Sequence, residues 1–132
     1  MEITEIGAGR LDELIDTHLS DANVAPDLVF VSGQLGLDAD NNLVGEGDVV
    51  LQAEQVLKNI ESVLADADAT LADVVDLRLY LLDITDIPRI APVRRRYFGD
   101  RRPAATAVEI NRLVVPGALI EISAVAVRRP AS

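Results

Sequence analysis

The chain has 132 residues, of which 49% are apolar and only 3% aromatic, enough for one domain with an aliphatic core of Val, Leu, Ile and Ala. A formal net charge of -10 and a pI near 4.4 argue against nucleic-acid binding, because phosphate backbones are held by Lys and Arg. Without Cys there are no disulfides, thiol nucleophiles or thiolate metal sites, and no apolar run approaches the roughly 18 residues of a membrane span.

The opening Met1-Glu2-Ile3-Thr4-Glu5 is acidic and lacks signal-peptide character, so the cytoplasm is the expected location. Residues Ile3 to Ile6 offer an edge strand, and the apolar run Leu28 to Gly33 reads as a second strand. From Asp48 to Asp68, Val49, Ala53, Val56, Leu57, Ile60, Val63, Leu64 and Ala67 form one stripe at helical spacing. Gln52, Glu54, Gln55, Lys58, Asn59 and Glu61 fill the other side of this helix, and Asp48 is its N-cap. Thr70-Leu71-Ala72-Asp73 has the shape of a capping box and predicts one tight turn.

A strand follows from Val74 to Leu82. Alternation puts Val75, Leu77, Leu79 and Leu81 on one side and Asp76, Arg78 and Tyr80 on the other. Asp83 and Asp86 offer N-caps for a second helix that ends near Phe98, with Gly99 as its stop. Pro92 predicts that this helix is kinked or starts late, since an internal proline costs about 3 kcal/mol. Ala105 to Asn111 alternates, with Thr106, Val108 and Ile110 opposite Ala107, Glu109 and Asn111. Leu119 to Val127 alternates too, with Ile120, Ile122, Ala124 and Ala126 forming an apolar face.

The expected order is β-β-α-β-α-β-β, with residues 1–132 forming a single domain that has no repeat, linker or low-complexity stretch. Two helices must then cover one face of one sheet. The other face carries Asp76, Arg78, Tyr80, Glu109, Glu121 and Ser123 beside Val125 and Val127, and is half polar. It meets either water or other subunits; parity does not choose between them.

Several stretches in this order resemble the RidA/YjgF family, whose members are also called endoribonuclease L-PSP-like proteins or enamine/imine deaminases. They are Leu28-Val29-Phe30-Val31-Ser32-Gly33-Gln34; Gln52, Gln55, Val56, Leu57, Asn59 and Ile60; Leu71-Ala72-Asp73-Val74-Val75; Tyr97-Phe98-Gly99-Asp100 with Arg102-Pro103-Ala104; Val108-Glu109-Ile110 with Arg112-Leu113; and Ile120-Glu121-Ile122 with Ala124 and Ala126-Val127. The resemblance implies an α+β, chorismate-mutase-like fold: a single mixed sheet with two helices on one face, assembled as a homotrimer. It also implies small-molecule clefts between subunits; no cofactor is expected, and the charge and hydropathy above speak against a nucleic-acid or membrane partner.

The family's usual chemistry is hydrolysis of a reactive enamine or imine to a ketone and ammonia. By this resemblance Glu121 takes the role of the glutamate that positions water, and Ser32, Gly33 and Gln34 form the turn beside the substrate. The position of the arginine that grips the substrate carboxylate reads Ala105, and that of the cleft tyrosine reads Leu19. Ala107 completes the substrate-binding positions. Losing a guanidinium removes charge-assisted hydrogen bonds of about 1.5–3 kcal/mol each, so 2-aminoacrylate-type substrates are expected to be handled poorly.

Arg78 is a candidate substitute; the alternative is a structural ion pair with Asp76, Glu109 or Glu121. Glu121 itself either serves the site or bonds groups on a subunit seam, and an apolar cleft would raise its pKa. His18, the only histidine, is either a surface residue or a neighbour of the cleft, and with no second His and no Cys no metal site is expected. Arg112 matches a family position and reads as structural. The run Arg94-Arg95-Arg96 with Arg101-Arg102 either complements a helix C-terminus or forms an anion site near the cleft mouth. Ser32 has no histidine motif beside it and reads as a turn-shaping residue. Three functions compete: an enzyme acting on an enamine, imine or related compound, a non-catalytic trimeric binding or sensing protein, and a ribonuclease or translation inhibitor. The last is opposed by a charge that three copies raise to roughly -30.

Overall fold

The computed structural model describes residues 2–7, 13–15 and 17–128. Six strands form one sheet: β1 (Thr4–Ile6), β2 (Ala22–Val24), β3 (Leu28–Gln34), β4 (Val74–Leu81), β5 (Ala104–Glu109) and β6 (Ile120–Val127). Helix α1 (Val49–Asp66) joins β3 to β4, and α2 (Ile87–Phe98) joins β4 to β5. The lateral order is β1-β2-β3-β6-β4-β5. β6 runs antiparallel to both β3 and β4, while β4 and β5 are parallel. Both helices are therefore crossovers between parallel strands, and both step the same way across the sheet. Crossovers share one hand almost without exception, so two that step in one direction must lie on the same face.

That face is the core. Leu77, Leu79 and Leu81 of β4 and Ile120 and Ile122 of β6 have no exposed surface, and Val56, Leu57, Ile60, Leu64 and Ile90 of the helices pack in the same cluster. Strand alternation generates this face from β6 as expected. On β4 a register shift between Val74 and Asp76 breaks the alternation. Val74 is buried there instead of Val75, which is left exposed, because the bulge adds a residue to one strand. Glu109 also departs from its expected place on the open face. It is in register with Leu81, and its Oε1 accepts the Ile84 N–H at 3.1 Å, so it holds the turn before α2.

Asp48 caps α1 by accepting from Val50 and Leu51 N–H. Two polar residues expected on the solvent side of this helix are buried. Gln52 donates to Gly45 O and Gly117 O and accepts from Leu119 N–H at 2.7 Å. Asn59 donates to Leu35 O and Leu37 O. Each amide bonds backbone carbonyls of loops outside the sheet's strands, which offsets its desolvation. The turn at Leu71–Asp73 is present, with the Asp73 carboxylate accepting from Thr70 N–H at 2.9 Å. Helix α2 does not start after Pro92: it begins at Ile87, passes through Pro92, and stops at Gly99, where φ is 62°. Strand β2, absent from the sequence reading, bridges β1 and β3.

Candidate functional site

Glu121 stands on the face of the sheet that the helices leave open. Register places Tyr80 of β4 beside it, and Val108 of β5 beside Tyr80. On its other side the ladder between β3 and β6 shifts between Val31 and Gln34, leaving Ser32 and Gly33 in a bulge. A methyl group added at Gly33 would come within 2.6 Å of the Glu121 carboxyl carbon. The carboxyl therefore lies over bare backbone, in the space that a Cβ at position 33 would take. Burial raises the Glu121 pKa above the usual carboxyl range.

Other side chains build the bulge. The Ser32 hydroxyl donates to Ser20 O at 2.7 Å, so it shapes the turn. Gln34 is buried, and its amide donates to Ser32 O at 3.1 Å. Ser32 also lines an open cleft of about 490 Å³ with Leu19, His18, Ser20, Glu5 and Asn23. The structure thus joins Leu19 to the Ser32–Gly33 turn, with Glu121 on the turn's other flank. His18 adopts a left-handed φ of 56°, and Leu19 after it lines this cleft.

Arg78 shares the open face with Glu121 but lies in the next row, level with Ser123 and Thr106. Its Nε sits 3.4 Å from Asp76, so the expected ion pair is present, and the side chain is largely exposed. Ala105 and Ala107 are in register with Leu77 and Leu79 and so lie on the helix side of β5. One chain does not bring them to Glu121. Arg112 is exposed in the loop after β5. Of the arginine run, Arg96 pairs with Glu54 and stacks over Tyr97, while Arg94 is turned toward a second cleft. Among the described residues, no group of three or more His, Cys, Asp or Glu side chains is placed to hold a metal ion, and no helix is long and apolar enough to cross a membrane.

A profile of the endoribonuclease L-PSP family matches residues 14–128. The 3-aminoacrylate deaminase RutC of Acinetobacter baylyi is 42% identical over 105 residues, which are 80% of this chain and 82% of that protein. The crystal structure of Rv2704 from Mycobacterium tuberculosis, a member of the YjgF/YER057c/UK114 family, superposes with a TM-score of 0.81. It is 34% identical, covering 96% of this chain and all of that one. RidA of an Antarctic Psychrobacter gives a TM-score of 0.81 at 30% identity, covering 94% of each chain.

The chain belongs to the RidA/YjgF family. Its two helices on one mixed sheet are the architecture of these RidA/YjgF structures. The burial of Gln52 and Asn59 is not apparent from the helical pattern, although both fall in a stretch that resembles the RidA/YjgF family. Their signal was present: amides at helical spacing 52, 55 and 59 lie close to the apolar stripe, where a solvent face would more often carry charge.

Proposed function

We propose that this RidA/YjgF protein is a cytoplasmic homotrimer that hydrolyses or otherwise transforms a reactive enamine or imine, with a substrate preference different from that of 2-aminoacrylate-type deaminases. The observation that carries this reading is the Glu121 carboxyl, partly desolvated and seated over Gly33, in the bulge whose Ser32 lines an open cleft. A carboxylate held there accepts a proton from water as the oxygen adds to the imine carbon. Passing a proton on to nitrogen then lets the C–N bond break, giving a carbonyl compound and ammonia. An enamine first takes a proton at carbon to become the imine.

The open sheet face supports the assembly. Phe30, Val108, Val127 and Leu28 are each at least 36% exposed on a lone chain, on the same open face as Glu121 and Ser123. Packing such faces around a threefold axis covers the apolar residues and leaves the polar ones at the seams. The placement of Ala105 and Ala107 on the opposite side from Glu121 supports a cleft shared between chains. Likeness to a 3-aminoacrylate deaminase supports the reaction class, while Ala105 supports a changed substrate. Ala105 also favours a second reading, a trimer that binds or senses a metabolite without transforming it.

The test is ammonia release from imines generated in situ by an amino-acid oxidase, for the wild type and Glu121→Ala. The expected result is acceleration by the wild type that is lost in the variant. If neither exceeds the uncatalysed rate on any imine, the deaminase reading is overturned and the binding reading stands.

A further inference from the structure

Six of the chain's 12 basic residues fall between Arg89 and Arg102, where Asp100 is the one acid. The other 21 of the 22 acids lie elsewhere, with only six bases among them. The stretch is therefore a cationic patch on an anionic protein. Exposed charges are screened beyond about 8 Å at physiological salt, so an anion at the patch meets the arginines and not the distant acids. The patch also has a hollow. The flank of α2 and the segment Gly99–Pro103 enclose a cleft of about 430 Å³ on the helix side of the sheet. Arg94, Arg95, Arg101 and Arg102 line it together with Asp100. The two remaining arginines are those with acid partners: Arg89 pairs with Asp86, and Arg96 with Glu54.

None of the ion pairs among the described residues includes any of the five charged side chains around the cleft, Asp100 among them. One carboxylate against four guanidiniums leaves positive charge in excess. The fold accounts for two of the four. Arg101 donates to Val74 O at 3.0 Å and ties its segment to β4, and Arg95 complements the C-terminus of α2 from its last turn. Arg94 and Arg102 have neither role. Arg94 is also half-buried, and burial alone pushes its pKa down. A partly desolvated guanidinium without an acid is costly unless an anion completes it. The cleft has apolar walls too, from Ala91, Phe98 and Pro103, and its volume is that of a small-molecule site. A monocarboxylate offers one charge and fills one guanidinium fork. A phosphate ester carries nearly two charges and three free oxygens, enough to engage more than one.

We propose that this cleft binds a small organic phosphomonoester, with the phosphate held by Arg94 and Arg102 and the organic part against Phe98. The site goes beyond the reaction proposed for Glu121, which stands on the opposite face of the same sheet, and does not depend on it. Asp100 weakens the site rather than building it: its like charge opposes the phosphate, so affinity is set by four guanidiniums against one carboxylate. This gives the acid and the arginines opposite signs in a binding experiment.

The full-length protein is titrated with AMP and with ribose 5-phosphate, followed by backbone amide shifts in NMR. Adenosine supplies the uncharged comparison, inorganic phosphate the bare anion and a short single-stranded RNA the polymer. At least one ester is expected to bind with shifts centred on residues 94–102, more tightly than inorganic phosphate, while adenosine leaves those residues unmoved. Arg94→Gln should weaken the ester at least about tenfold, the effect of losing charge-assisted hydrogen bonds. Asp100→Asn should tighten it, and Arg102→Gln should weaken it without disturbing the fold. Lys58→Gln and Glu121→Ala should bind as the wild type does. Binding of neither ester, shifts confined to another region, or unchanged affinity in a folded Arg94→Gln would each overturn the proposal. So would weaker binding in Asp100→Asn, which would make the charges a structural cluster. Inorganic phosphate bound as tightly as both esters would leave an adventitious ion only, and RNA bound through Arg94 more tightly than AMP would replace the small molecule by a nucleic acid. Ester binding without any ammonia release would keep this site and sink the deaminase reading; ammonia release without ester binding would do the reverse.

Discussion

On the helix-covered face, Leu77, Leu79, Ile120 and Ile122 have no exposed surface, while one residue along the same strands Arg78, Tyr80, Glu121 and Ser123 all keep contact with solvent. Both faces are made by the same strands at the same register. What separates them is the direction of two crossovers, which put both helices on one side. The covered face is finished by the chain itself; the open face keeps Phe30 and Val108 exposed and also carries a partly desolvated carboxylate. Substitutions on the first face should therefore read out as folding, and those on the second as assembly and chemistry.

The largest effect is expected at the core. Leu79→Ala should lower the free energy of unfolding by about 2–5 kcal/mol, through lost transfer energy and a cavity, as read from urea denaturation. Phe30→Asp tests the opposite face. It should reduce the mass found by light scattering to that of one chain while far-ultraviolet circular dichroism keeps its helical signal. Loss of the helical signal would instead place Phe30 in the fold of the single chain.

Gly33→Ala separates the faces more finely. Its methyl group must displace the Glu121 carboxyl, so turnover should fall while the fold persists. Smaller still is the pH dependence of Glu121. Because burial raises its pKa, folding favours the protonated form. The contribution to stability is complete below the unfolded carboxyl pKa and is lost as pH rises through the raised folded value. Melting temperatures of the wild type relative to Glu121→Gln should therefore decline from acid to neutral pH, and a difference that does not change with pH would break the link. Least affected should be Arg78→Ala, whose exposed pair with Asp76 contributes at most about 1 kcal/mol.

The long elements were legible because their periods are. The apolar stripe of α1 and the alternation of β6 survive intact, and the Thr70–Asp73 turn carries its own local hydrogen bond. Strand β2 has three residues, too few for a period to show. Alternation misplaces Val75 because one bulge inverts the parity of everything before it. Gln52 and Asn59 look solvent-facing in the helical pattern because the loop carbonyls they bond are not revealed by local sequence. For the candidate site, Glu121, Gly33 and Ser32 were found as neighbours through the family resemblance. The opposite facing of Ala105 follows only from parallel pairing with β4, which depends on the crossover through α2.

Strand β5 has one further consequence. It is an edge strand of six residues, Ala-Ala-Thr-Ala-Val-Glu, exposed along its whole length. Its only charge is Glu109 at the end, where the side chain is already engaged with the turn before α2. The outer row of backbone N–H and C=O groups is an open template for any other extended chain. A newly made or diluted subunit is therefore at risk of aggregation along this edge. Pro103, immediately before the strand, limits how far such a mispaired ladder can spread toward α2.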